Sequence, residues 1–208
     1  MEKQISFQQE VLRKLVHLSS FWMVAAIGIF PRAWNVCLFA GLLLGIVAIE
    51  YANHKGLPLV RATYGRIFGR MLRENERGQE FRPSGAPHVL AAALMLCLLF
   101  EQRVAMTALA IMLTGDSFAA IIGRKFGRRK INHGRKSIEG AAAFWISSAL
   151  VLAFFVLFFR LPTPFVLMGI FGITTAMLAE IFEEQIKIDD NFSIPLAMGL
   201  SLSLAHYL

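Results

Sequence analysis

The sequence predicts an all-α fold: a polytopic integral-membrane helical bundle of about seven transmembrane helices, with the N-terminus in the cytoplasm. Three observations predict it. Of 208 residues, 56% are hydrophobic and the mean hydropathy is +0.58, more long apolar sequence than a soluble domain of this size carries. The apolar residues fall into seven runs. The basic residues collect in alternate connections between those runs.

In chain order the runs are approximately Leu15–Phe30, Trp34–Ile49, Ala86–Phe100, Val104–Gly123, Gly140–Phe159, Pro164–Ile181 and Ile194–Leu208. The stretch before the first, Met1–Lys14, is polar with both signs of charge, and no clear small-residue cleavage site follows the run. It is therefore read as a retained anchor and not a signal peptide. Several runs are shorter than the roughly 20 residues of a perpendicular span, which bilayer thinning or flanking residues can absorb. Thr163-Pro164 opens the sixth run with a hydroxyl followed by a proline suited to the first helical turn. The two cysteines, Cys37 and Cys97, lie inside apolar runs and suggest neither a disulfide framework nor a zinc site. Residues 1–208 are expected to form one transmembrane domain, with no room for a separate soluble one.

The net charge is +7, and its distribution orients the chain. The N-terminus and the second, fourth and sixth loops hold eighteen Lys and Arg residues; the opposite side holds Arg32, Arg103 and Arg160. The positive-inside rule puts the first set in the cytoplasm. Thirteen of the fourteen acids fall on or near the same face, Glu101 being the exception. Basic loops between apolar runs point to anionic lipid or phosphate partners and away from nucleic acid.

Gly115–Gly140 is the most informative segment. Asp116 lies about 10 Å below Gly123 at about 1.5 Å per residue, a depth at which an ionisable group usually marks a site. Asp116, Ala120, Gly123 and Gly127 recur at helical spacing as a face that a helix or ligand can approach closely; a packing seam is the plainer reading. A basic loop follows, and Glu139 stands where the next apolar run begins. The loop ends in Gly134-Arg135-Lys136-Ser137, which fails the Walker A pattern because Arg135 separates Gly134 from Lys136. Lys136 and Ser137 can still offer an ammonium and a hydroxyl to phosphate oxygens near a helix N-terminus; anchoring to lipid headgroups competes with this reading.

The second loop carries Arg66, Arg70, Arg73 and Arg77 at helical spacing beside apolar residues, a pattern suited to lying on the membrane surface. Arg13, Lys14 and His17 share a face at the cytoplasmic end of the first run. The sixth loop is acidic, and Asp189, Asp190 and Asn191 are oxygen donors of the kind Mg²⁺ selects; a solvated acidic loop is the alternative. No Ser–His–Asp order, nucleophilic cysteine or H-E-x-x-H motif is present.

Four blocks occur in order: Arg13-Lys14-x-x-His17, Gly115-Asp116-x-x-Ala119-x-x-x-Gly123-Arg124-x-x-Gly127, Lys136-Ser137-x-Glu139-Gly140 and Asp190-Asn191-x-x-x-Pro195. Over residues 13 to about 200 this resembles the CTP-dependent lipid-alcohol kinases, a family that includes dolichol, phytol and farnesol kinases and the yeast-type diacylglycerol kinase. The Gly-Asp and Lys-Ser-x-Glu-Gly blocks carry most of the resemblance.

The resemblance implies an integral-membrane enzyme that moves the γ-phosphoryl group of CTP, with Mg²⁺ or another divalent cation, onto a lipid hydroxyl. The implied catalytic residues are Asp116, Lys136 and Glu139. Nucleotide contacts are expected from Arg124, Arg128, Arg135, Lys136, Ser137 and Arg73, and metal contacts from Asp116, Glu139 and Asp190. Arg13, His17 and Asn191 are expected to support the substrate or the site. The length matches the short prokaryotic or plastid members, which places the chain in a prokaryotic cytoplasmic membrane with its site on the cytoplasmic side. Two rivals stay open: cytidylyl transfer to a lipid phosphate, and a transporter or scaffold whose charges serve topology alone. The acceptor lipid, the preference for CTP over ATP and the oligomeric state are not legible in the residues.

Overall fold

The computed structural model describes residues 6–65, 81, 83–131 and 136–207. Helix α1 (Phe7–Ser19) opens with a capping box: the Gln9 N–H donates to Ser6 Oγ at 3.2 Å and the Ser6 N–H to Gln9 Oε1 at 3.0 Å. After a break at Ser20 the chain continues as α2 (Phe21–Ile29), and Pro31 ends this segment before α3 (Arg32–His54). Gly56, at φ +77°, turns the chain into the short α4 (Pro58–Val60) and a π-type turn at Arg61–Gly65. Helices α5 (Gly85–Leu99), α6 (Gln102–Phe126), α7 (Ile138–Phe159), α8 (Thr163–Ile181), α9 (Glu183–Ile186) and α10 (Asp190–Ser203) follow, with a 3-10 turn at Leu204–Tyr207.

Each of the seven apolar runs coincides with helix. Five helical segments are long and apolar enough to cross a membrane: Phe7–Ile29, Arg32–His54, Gln102–Phe126, Ile138–Phe159 and Thr163–Ile181. The other two runs form the shorter α5 and α10. The first helix begins at Phe7, eight residues before the apolar run, because its polar turns find partners inside the bundle. The fourth loop departs from an all-α expectation by forming a small antiparallel pair, β1 (Lys130–Ile131) with β2 (Lys136–Ser137), in the register Lys130↔Ser137 and Ile131↔Lys136.

Helix α6 is the axis of the bundle. Every residue from Val104 to Leu113 is buried, as a helix apolar on all sides requires. Around it pack α7, α10, α2, α1 and α5. The α6–α7 crossing is a seam of small residues: Ala119 and Gly123 lie against Gly140, Gly127 against Ser137, and Gly115 against Phe144 and Ser148. Of the anticipated face, Gly123 and Gly127 meet the start of α7, while Asp116 is bound to Lys14 of α1. A Cβ on Gly140 would lie 3.0 Å from the Ala119 carbonyl oxygen and 3.2 Å from Gly123 Cα, backbone atoms with little freedom to move. Gly140→Val is therefore expected to destabilise the bundle by about 1–3 kcal/mol by forcing the helices apart. Gly41→Val, at a position with nothing within 4 Å, is the control. The two variants should differ clearly in detergent thermal unfolding; equal midpoints would refute the seam.

Candidate active site

The site begins on one face of α1, where Glu10, Lys14 and His17 succeed one another at helical spacing. All three meet α6. Lys14 Nζ lies 2.5 Å from Asp116 Oδ2, and His17 Nε2 lies 3.4 Å from the same oxygen. Nearer the helix ends, Arg124 Nη1 meets Glu10 Oε2 at 2.9 Å, and Arg13 Nη1 approaches that oxygen at 3.6 Å. Lys14 and Asp116 keep only 11% and 7% of their side-chain exposure, so each charge depends on the other. Asp116 lies about 15 Å along α6 from Phe126, at about 1.5 Å per residue.

The α6–α7 seam then determines where Lys136 stands. Ser137 caps α7 by accepting the Gly140 N–H at 3.1 Å, and its hydroxyl sits against Gly123 and Gly127. Lys136, one residue earlier on β2, reaches across to α8, with Nζ 2.5 Å from Glu180 Oε1 and 3.6 Å from Glu183 Oε2. Burial alone would lower the basicity of this ammonium, but the carboxylates of Glu180, Asp190 and Glu183 outweigh it and hold the pKa well above the ordinary lysine value. Lys136 is therefore a permanent cation at the membrane edge.

A third group lies at the start of α10. The Asp189 side chain caps this helix, accepting the Asn191 N–H at 3.0 Å. Carboxylate oxygens of Glu183, Asp189 and Asp190 lie within 4.8 Å of one another. The Asn191 amide nitrogen donates to Asp189 Oδ1 at 2.8 Å and to Asp190 Oδ1 at 3.1 Å. That leaves Asn191 Oδ1 buried with no hydrogen-bond partner among the described residues. Burial, reinforced by the negative charges of Asp116 and Glu183, pushes the Asp190 carboxyl well above its ordinary range.

This donor set fits a hard divalent cation. Three carboxylates and an orphaned amide oxygen are the ligand types such ions take. Four carboxyl groups, Glu180, Glu183, Asp189 and Asp190, gather beside the ammonium of Lys136.

Several residues expected from the sequence take other places. Asp116, Glu139 and Asp190 do not form one ligand set. Asp116 is bound to Lys14, while Glu139, in the first turn of α7, accepts the Arg129 N–H at 3.2 and 3.3 Å. Asp190 joins Glu183 and Asp189 instead, because α9 and the cap of α10 are adjacent in the chain. Arg124 is engaged with Glu10, and Arg128 is exposed beside the β pair. Arg73 and Arg135 lie outside the described residues. Lys14, Glu180 and Glu183 carry contacts that the site expectations did not assign, whereas Asp189 stands beside Asp190 as the oxygen-donor reading of the sixth loop had it. The signals of the first three were the Glu10–Lys14–His17 spacing and the Glu180–Glu183 spacing, each one helical turn.

On the lipid-facing side of α6 and α7 lies an apolar cavity of ≈ 900 Å³. Phe21 and Val24 of α2 form one wall; Ala143, Ile146 and Phe154 of α7 form another; Glu139 stands at one end.

No protein-family model and no solved structure matches the chain. Among curated relatives, an uncharacterized protein of Rickettsia prowazekii is 26% identical over 99% of both chains. Phytol kinase 1, chloroplastic, of Arabidopsis thaliana is 29% identical over 99% of this chain and 69% of its own length. Dolichol kinase sec59 of Schizosaccharomyces pombe is 39% identical over 85 residues, 40% of this chain and 16% of its own. The chain is thus similar to phytol kinases over most of its length, and to a dolichol kinase over 85 residues.

Proposed function

We propose that this protein is an integral-membrane kinase that transfers the γ-phosphoryl group of CTP to the hydroxyl of a membrane lipid alcohol, at a centre on the cytoplasmic face. One observation carries the reading: Lys136, paired with Glu180 and Glu183, stands beside the carboxylates of Asp189 and Asp190 in an otherwise apolar helical bundle. Phosphoryl transfer requires little covalent chemistry from a protein; it requires positioned positive charge around a triphosphate and an in-line hydroxyl. The names of the phytol and dolichol kinase relatives support the acceptor class.

A divalent cation such as Mg²⁺, held by Glu183, Asp189, Asp190 and the Asn191 amide oxygen, would neutralise charge on the β- and γ-phosphates. Lys136 gives its ammonium to a γ-phosphate oxygen while Glu180 keeps it in place, and the Ser137 segment brings the start of α7 to the same spot. Lys14 holds Asp116, with His17 packed beside the pair, which keeps the α1–α6 wall of the centre together. The lipid hydroxyl oxygen forms a bond to the γ-phosphorus as the bond to the β,γ-bridging oxygen breaks. Its proton passes to a carboxylate, and lipid monophosphate and CDP leave. Glu139, which accepts the Arg129 N–H and lines the apolar cavity, is the carboxylate we assign to receive the hydroxyl.

Purified protein in nanodiscs, given a panel of lipid alcohols and either CTP or ATP, tests this. Label from γ-labelled CTP is expected on the lipid, ATP is expected to be a poorer donor, and EDTA should abolish transfer until Mg²⁺ is restored. Label arriving from the α-position would identify cytidylyl transfer instead. No product from any alcohol with either nucleotide would overturn the kinase reading.

A further inference from the structure

The groove between α2, α6 and α7 is separate from the charged centre yet shares one structural junction with it. Lys136 and Glu139 are three residues apart across the β2–α7 turn: Lys136 reaches the acids of α8 and α9, while Glu139 lines the end of the groove. From Glu139 the groove follows α7 to Phe158 and Phe159, about 30 Å at about 1.5 Å per residue, which is the thickness of a bilayer core. Its volume of ≈ 900 Å³ is near the upper end of the roughly 300–1,000 Å³ of ligand pockets.

Side-chain size makes the groove. Ala142, Ala143 and Ser147 leave a channel along α7, and larger side chains such as Phe21, Phe118 and Phe154 stand around it. Thr114, on the α6 wall, has its hydroxyl oxygen buried without a hydrogen-bond partner among the described residues. The protein's own contacts therefore do not complete this surface.

We propose that the groove holds the apolar chain of the acceptor alcohol, with its hydroxyl hydrogen-bonded to the Glu139 carboxylate at the β2–α7 turn. This rests on the kinase reading above and specifies where its acceptor lies. An ordinary phospholipid tail gains little by leaving bulk lipid for such a groove, since lipid tails are as apolar as its walls. The polar end makes the difference. A single chain ending in a hydroxyl can donate to Glu139, three residues along the chain from Lys136, whereas a phosphate-bearing headgroup brings a negative charge to the carboxylate.

Photolabelling without nucleotide tests this independently of catalysis. Protein in phosphatidylcholine nanodiscs is irradiated with a long-chain alcohol carrying a mid-chain diazirine, and in parallel with a diazirine phosphatidylcholine. The alcohol is expected to label α2 and α7 around Val24, Ala143 and Leu150, and unlabelled alcohol should compete. Ala143→Phe, or the more exposed Ala142→Phe should the first fail to fold, should cut labelling about tenfold by filling the channel. Leu157→Phe, lipid-exposed and outside the groove, should stay within about twofold.

Label scattered over other lipid-facing helices would overturn the proposal. So would equal labelling by the phosphatidylcholine probe that the alcohol does not displace. Wild type and Ala143→Phe phosphorylating the alcohol with the same KM would refute the groove and leave the kinase reading standing. Groove labelling with no phosphorylation of any alcohol would do the reverse.

Discussion

Lys136→Gln should lower phosphoryl transfer by about 10³-fold, the scale on which a single cationic contact to a transferring phosphoryl group acts. The loss should fall mainly on kcat, because charge on the phosphoryl oxygens is redistributed in the transition state. The substitution also leaves Glu180, which is almost fully buried, without its ammonium partner. A stability loss of about 1–3 kcal/mol is expected from that alone. The double variant Lys136→Gln/Glu180→Gln separates the two effects. Its paired neutral amides should recover most of the unfolding midpoint while transfer stays at the single-variant level. Recovery of both together would show that Lys136 only holds the fold.

Lys14→Met is expected to be the most destabilising single substitution, by about 3–5 kcal/mol, because it strands the Asp116 carboxylate inside the bundle. Lys14→Met/Asp116→Leu should return stability to near the wild-type value, since two apolar groups of similar volume need no desolvation of charge. It should nevertheless remain inactive, because the α1–α6 wall of the centre would lose its charge and its contact to His17. Thermal unfolding in detergent and CTP-dependent lipid phosphorylation, measured on the same preparations, distinguish these roles. A double variant that is stable and fully active would remove Asp116 from the proposed centre.

Much of this molecule was legible residue by residue. Apolar runs in the sequence correspond to helices because hydropathy sums locally. Thr163-Pro164 does open α8 with a proline in its first turn, but Pro162 takes the cap position and the Thr163 hydroxyl does not cap the helix. The depth of Asp116 and the position of Lys136 beside a helix start followed from counting along the chain. The small-residue seam was legible in part. Gly123 and Gly127 of the anticipated face do meet the start of α7, whereas deeper in the bundle the contacts run through Gly115 and Ala119, and Asp116 turns to Lys14 of α1. One residue turns a helical face by about 100°, and only the packed partner shows which side is used.

The partners of the charges were not legible at all. Lys14 finds Asp116 across 102 residues of chain, and Lys136 finds Glu180 across 44. Those pairings follow from how closely α6 and α7 approach and from where α1 and α8 then come to rest, quantities with no local signature. The sequence by itself determined a multi-span helical bundle with its ionisable groups gathered at one side, because burying charge in lipid is costly enough to be visible in any window of residues. Only the tertiary structure decided that Glu139 belongs to the groove, that Glu183 joins Asp189 and Asp190, and that Lys136 reaches Glu180 and Glu183. Each of those juxtapositions depends on helix crossings a few ångströms wide, which are set by packing between residues far apart in the chain.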